Sequence, residues 1–170
     1  LLILPMVKTT VERGFPGAHW ENPRMGAPGV QELYDFPVID HLHFALIWLL
    51  GQVVSDVGLL FNLYFLLTFP LTALTAMLLF RHLGLTLPAA AVGGVLYAFL
   101  PYHHQRWENH YFLAAYWTVP LSMLPVFAIC RGRYPFFRRE PDGSYRLDLW
   151  SRATFWQVVL AAVTASAGAY

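Results

Sequence analysis

Long stretches of this chain carry no charge, and the charged residues gather in clusters between them. No Asp, Glu, Lys or Arg occurs from 57 to 80, from 82 to 105 or from 109 to 130. A bilayer core of about 30 Å is crossed by roughly 20 helical residues rising 1.5 Å each. The pattern predicts membrane-spanning helices over 57–80, 85–101 and 111–130, and a fourth over 153–170 that the end of the sequence cuts off. Residues 42–54 are a shorter apolar run behind Asp40 and His41 and before Asp56. That length suits a helix lying along the membrane surface rather than crossing it. Residues 1–6 are an apolar stub. The expected fold is all-α and polytopic: an external segment 1–56 carrying the surface helix, then a transmembrane region 57–170 with about four spans.

Within the spans, Pro70, Pro88, Pro101, Pro120 and Pro125 each remove a helix hydrogen bond and favour kinks. The pair Gly93-Gly94 permits close helix approach. Such helices suit a protein with an internal cavity, although Pro and Gly are common in membrane helices generally.

Composition agrees with the pattern. The chain of 170 residues is 57% hydrophobic and 12% charged, with mean hydropathy +0.47 and net charge +1. A soluble domain carries about 25% charged residues, so too few polar residues remain to cover its surface. Aromatic content of 16% argues against disorder, and the balanced charge argues against a nucleic-acid partner. The single cysteine, Cys130, excludes an internal disulfide framework and a multi-cysteine metal site. A first residue other than Met and a last residue inside an apolar run suggest part of a larger polytopic protein. No basic region precedes residues 1–6, so a signal peptide is a poor reading.

Six arginines (Arg131, Arg133, Arg138, Arg139, Arg146 and Arg152) crowd the segment 131–152, which the positive-inside rule makes cytoplasmic. Contact with anionic lipid is a second reading of that loop; a plain positive-inside loop is the simpler one. The long N-terminal segment and the short loop 102–110 then lie outside, the arrangement expected in a bacterial inner membrane.

Chemistry-bearing residues concentrate on that outer side. It holds seven of the ten acids and six of the seven histidines, more than connecting loops need. The first cluster comprises Asp35, Asp40, His41 and His43. Pro37 biases Phe36 away from helix, placing Asp35 on an extended turn, while Asp40 stands where a helix N-cap would. A carboxylate at the membrane surface can act as general base toward an acceptor hydroxyl or bind a divalent cation. The blander readings are a turn-shaping Asp35 and a capping Asp40. The second cluster is Pro101-Tyr-His-His-Gln-Arg-Trp-Glu-Asn-His110. Arg106 is a fork suited to phosphate, and His103, His104, Glu108 and His110 have the side-chain types of a metal site without its spacing. An interfacial aromatic belt with wet histidines is the alternative.

The phrases Asp35-Phe-Pro37, Asn62-Leu-Tyr-Phe-Leu-Leu-Thr-Phe-Pro70, Leu96-Tyr-Ala-Phe-Leu-Pro-Tyr102, Arg106-Trp-Glu-Asn-His110 and Ala115-Tyr-Trp-Thr-Val-Pro-Leu121 add to the acidic first loop and surface helix. Together they resemble the N-terminal part of polytopic GT-C glycosyltransferases. The resemblance implies transfer of a sugar from a polyprenyl-phosphate-linked donor on the external membrane face, with membrane lipid as surroundings and a divalent metal ion in some members. It places the catalytic acid at Asp35 or Asp40; the side-by-side acidic pair usual there is absent. It offers Arg106 to the carrier phosphate and His43, His103, His104, Glu108 and His110 to substrate or metal. Two other classes stay open: a transporter or flippase for lipid-linked sugars, which predicts polar groups inside spans, and a non-catalytic polytopic membrane protein.

Overall fold

The computed structural model describes residues 3–15, 21–23, 25–32, 40–106 and 110–168. The described residues are mostly helical, 65% helix with few strands. The helices are α1 (Ile3–Arg13), α2 (His41–Gly51), α3 (Val57–His82), α4 (Leu87–Ala98), α5 (Pro101–Arg106), α6 (Tyr111–Ala114), α7 (Thr118–Cys130) and α8 (Arg152–Ala165). Two short antiparallel ladders accompany them: β1 (Glu21–Asn22) with β2 (Gln31–Glu32), and β3 (Phe137–Arg139) with β4 (Tyr145–Leu147).

Among the described residues one helix, α3, is long and apolar enough to cross a membrane. Its 26 residues extend about 39 Å. Asp56 starts it by accepting the Leu59 amide at 2.6 Å, and Arg81 and His82 oppose the negative end of its dipole. The other apolar stretches are divided. The segment 85–101 forms α4, 12 residues, and breaks at Phe99 and Leu100. Leu100 precedes Pro101, which steers it out of helical backbone, while Pro101 itself suits the first position of α5. The segment 111–130 is split into α6 and α7 by residues 115–117, and 153–170 gives the 14-residue α8. Where a stub was expected, α1 packs Met6 and Val7 inward on α2 and α3. Where a plain loop was expected, 131–152 contains the β3–β4 hairpin.

Helix directions follow from contacts at the ends. Tyr111 just before α7 donates to the Phe61 carbonyl near the start of α3, and Arg131 after α7 donates to the His82 carbonyl at the end of α3. Hence α3 and α7 run in the same sense. Helix α4 returns antiparallel to α3 after a turn at Gly84, whose φ of 100° suits glycine. Helix α8 begins beside α7's end, where Gln157 donates to the Arg133 carbonyl, and finishes beside α2, where the Leu42 amide donates to the Ser166 carbonyl at 2.9 Å. Gly94 makes the α3–α4 approach possible: a Cβ there would collide with the Ala73 carbonyl and Met77. Among the described residues the closed core lies at one end, built from Met6, Val7, Phe44, Ile47, Leu60, Tyr64, Tyr111 and Phe112. Along α3, α4 and α7, by contrast, Leu59, Leu66, Leu74, Leu78, Leu96 and Val126 are exposed.

Candidate functional site

Asp40 stands at the entrance to α2, yet it does not cap it. Its backbone (φ −81°, ψ 35°) lacks the extended form of a capping residue, and its carboxylate takes no α2 amide. The side chain is instead buried, 3% exposed, with Oδ1 lacking a hydrogen-bond partner among the described residues. Burial pushes its pKa up to about 6, because desolvation penalises the charged form. A carboxyl poised there exchanges protons near neutral pH.

His43 lies one turn further along α2 and is fully buried. Its Nε2–H donates to the Ala167 carbonyl at 3.0 Å, and the Tyr64 hydroxyl donates to Nδ1. A carbonyl can only accept, so these partners fix one neutral tautomer. Desolvation agrees, pushing the imidazole down to about 4. The ring stacks on Phe112 (5.1 Å, 13°) and meets Trp117 edge-on. The Asp40 carboxylate is within electrostatic reach of the Tyr64 hydroxyl. The Trp117 indole N–H also lies beside that hydroxyl, but its geometry falls short of a hydrogen bond and it has no other partner. Asp40, His43, Tyr64 and Trp117 thus form a buried polar group with an unused acceptor and an unused donor.

One turn along α3 from Tyr64, Thr68 serves the second histidine. His103 Nδ1–H donates to the Ala98 carbonyl at 3.0 Å, Nε2 meets Thr68 Oγ1 at 2.8 Å, and the ring stacks on Phe69 at 3.8 Å. Both nitrogens are spent on tying α5 to α3 and α4. His104 and His110 are exposed, and Arg106 lies 5.2 Å over the Tyr102 ring. The structure therefore packs His43 of α2 and His103 of α5 against Tyr64 and Thr68, on successive turns of one face of α3, with His104, Arg106 and His110 at the same end of the helices. Asp35 and Glu108 lie outside the described residues. Among the described residues no three His, Cys, Asp or Glu side chains converge as a metal site. The described histidine nitrogens at the core are already occupied, so they do not fit the divalent ion the resemblance allowed.

Tyr64, Thr68 and Trp117 did not figure among the expected site residues. Tyr64 and Thr68 fall inside a stretch recognised by its lack of charge, where a hydroxyl passes unnoticed. The spacing of Tyr64, Thr68, Thr72 and Thr75, recurring every three or four residues, is the signal that marks a polar face.

Comparison with protein-family models, curated proteins and solved structures gives no match.

Proposed function

We propose that this chain belongs to a polytopic membrane glycosyltransferase in which Asp40 is the general base. The membrane part draws support from α3 and from the exposed leucines and valines along α3, α4 and α7. In this reading the shorter helices α4, α7 and α8 complete four passes, with α5 and α6 extending the second and third. The observation that carries the catalytic part is the buried Asp40 carboxyl with its unpartnered Oδ1. An acceptor hydroxyl supplies the missing donor. As its oxygen bonds to the anomeric carbon, its proton passes to Asp40, the bond from that carbon to the phosphate oxygen breaks, and polyprenyl phosphate leaves. In this reading Arg106 takes the departing phosphate and Asp35 is the other acid of this segment. His43 and Tyr64 hold Asp40's surroundings in one protonation pattern. A transporter draws no comparable support, since the buried Thr72 and Thr75 hydroxyls bond carbonyls of their own helix.

The test is sugar transfer from a panel of polyprenyl-phosphate-linked hexoses by the reconstituted protein. Asp40→Asn is expected to lower kcat by about 100-fold or more while leaving the folded fraction unchanged. Activity left intact in both Asp40→Asn and Asp35→Asn would falsify the mechanism.

A further inference from the structure

At the other end of the helices, the β3–β4 hairpin presents two unlike faces. The register pairs Phe137 with Leu147, Arg138 with Arg146 and Arg139 with Tyr145. Side chains alternate across a ladder, so one face carries Phe137, Arg139, Tyr145 and Leu147 and the other Arg138 opposite Arg146. Every ladder residue is exposed. Like charges directly opposite destabilise a sheet, and neither arginine has a carboxylate or carbonyl partner among the described residues. The nearby Asp142 is committed to the turn, accepting from the Ser144 amide and hydroxyl. On the apolar face Tyr134, Phe137 and Tyr145 line an open notch of about 350 Å³.

The hairpin is also fixed in place. The Asp148 amide donates to the Phe136 carbonyl at 2.7 Å, and the Phe136 amide donates to Thr154 of α8 at 3.1 Å. Beside it Trp150 is 96% exposed, and Phe155 and Trp156 are open at the start of α8. Aromatic side chains of this kind settle at a bilayer's glycerol level, with arginines reaching the phosphates just beyond. Net charge selects the lipid: residues 131–152 carry six arginines against Glu140, Asp142 and Asp148.

We propose that the β3–β4 hairpin lies flat in the headgroup layer, with Phe137, Tyr145 and Leu147 toward the acyl chains and Arg139 on that face reaching back to the headgroups along its aliphatic stem, and that Arg138 and Arg146 jointly clasp the phosphate of an anionic lipid. A phosphate between them turns a repulsive pair into two charge-assisted hydrogen bonds. The assignment rests on the membrane reading above, and the test separates the two.

The protein carries Cys130→Ser with a fluorescent label at Leu147→Cys and, in a second sample, at Leu66→Cys on α3. Both are reconstituted in phosphatidylcholine and titrated with acyl-brominated phosphatidylglycerol or brominated phosphatidylcholine as quencher. At position 147 a preference of about tenfold for phosphatidylglycerol is expected, falling toward unity in Arg138→Gln/Arg146→Gln and largely kept in Arg138→Lys/Arg146→Lys. No preference, or a preference indifferent to the double glutamine variant, overturns the proposal. So does inorganic phosphate abolishing the preference at equal ionic strength, which marks a site for free anions. Quenching at position 66 by both lipids with none at 147 sinks the hairpin assignment alone. Absence of quenching at position 66 sinks the membrane reading as well.

Discussion

Asp40 and His43 lie one turn apart and are both driven toward neutrality by burial, with opposite consequences for stability. Folded protein keeps the Asp40 proton from its ordinary 3.8 up to about 6, where the unfolded chain has released it. Asp40 therefore draws stability down as pH rises through that window. His43 refuses a proton from its ordinary 6.5 down to about 4, so its contribution climbs with pH over the same range. The two offset each other between about 4 and 6. Thermal unfolding in detergent checks this: Asp40→Asn leaves Tm rising more steeply with pH than in the parent, and His43→Gln makes it rise less or fall. Transfer activity, which needs the ionised carboxylate, is expected to show an acid limb centred near pH 6. His103 belongs to packing. Thr68 has one hydroxyl proton, directed either to His103 or to the Phe65 carbonyl, and His103→Leu removes the ring's bonds to Ala98 and Thr68 together. A loss of about 1–3 kcal/mol is expected in denaturant titration. Asp40 was legible in the sequence as a carboxylate at a helix start. Its failure to cap was not, because a cap and an orphaned carboxyl share the same neighbours in sequence and differ only in backbone angles.

At the level of elements, absence of charge located α3 to within two residues at its end, since Arg81 and His82 both oppose the dipole and mark where apolar burial stops. The other apolar runs were legible as such but not as single helices, because Leu100 before Pro101 and the 115–117 break interrupt them. Helix α1 escaped notice because Lys8, Glu12 and Arg13 break its hydrophobicity into an amphipathic pattern too short to stand out; its inward face holds Met6 and Val7 together with Thr9 and Thr10, whose hydroxyls bond the helix's own carbonyls. The β3–β4 turn had a signal in Pro141-Asp-Gly143, where Gly143 takes a φ of 85° and Asp142 binds Ser144. The clearest element-scale prediction concerns Gly94. Gly94→Leu forces a side chain into the Ala73 carbonyl and Met77, separating α4 from α3. A loss of about 1–3 kcal/mol is expected, read as a lowered unfolding midpoint in detergent, whereas Ala91→Leu, on an exposed or half-exposed position of the same helix, costs far less.

For the whole molecule, α3 and α7 run one way and α4 and α8 the other, which divides the chain into two ends. One holds α1, α2 and both histidine clusters; the other holds the arginine-rich hairpin. In the membrane reading these ends face opposite compartments. On a Cys130→Ser background, an impermeant thiol reagent added to sealed vesicles should label Val30→Cys or Pro141→Cys in a given orientation, never both before the vesicles are opened. Labelling of both from one side would place the two ends in one compartment and remove the four-pass arrangement. The alternating direction of α3, α4, α7 and α8 follows the order of the apolar runs in the sequence, each joined to the next by a short polar or charged segment. The convergence of α8 on α2 was not legible there, because no local pattern announces a contact between residues so far apart.

That contact spans 124 positions, from His43 to the Ala167 carbonyl. A chain emerging from a ribosome has α2 and α3 in hand long before residue 167 is made. Until then His43 has its tyrosine but no acceptor for the other ring nitrogen, and that nitrogen is free to take solvent or a proton. The polar cluster around His43 is therefore complete only once the residues just past α8 are in place.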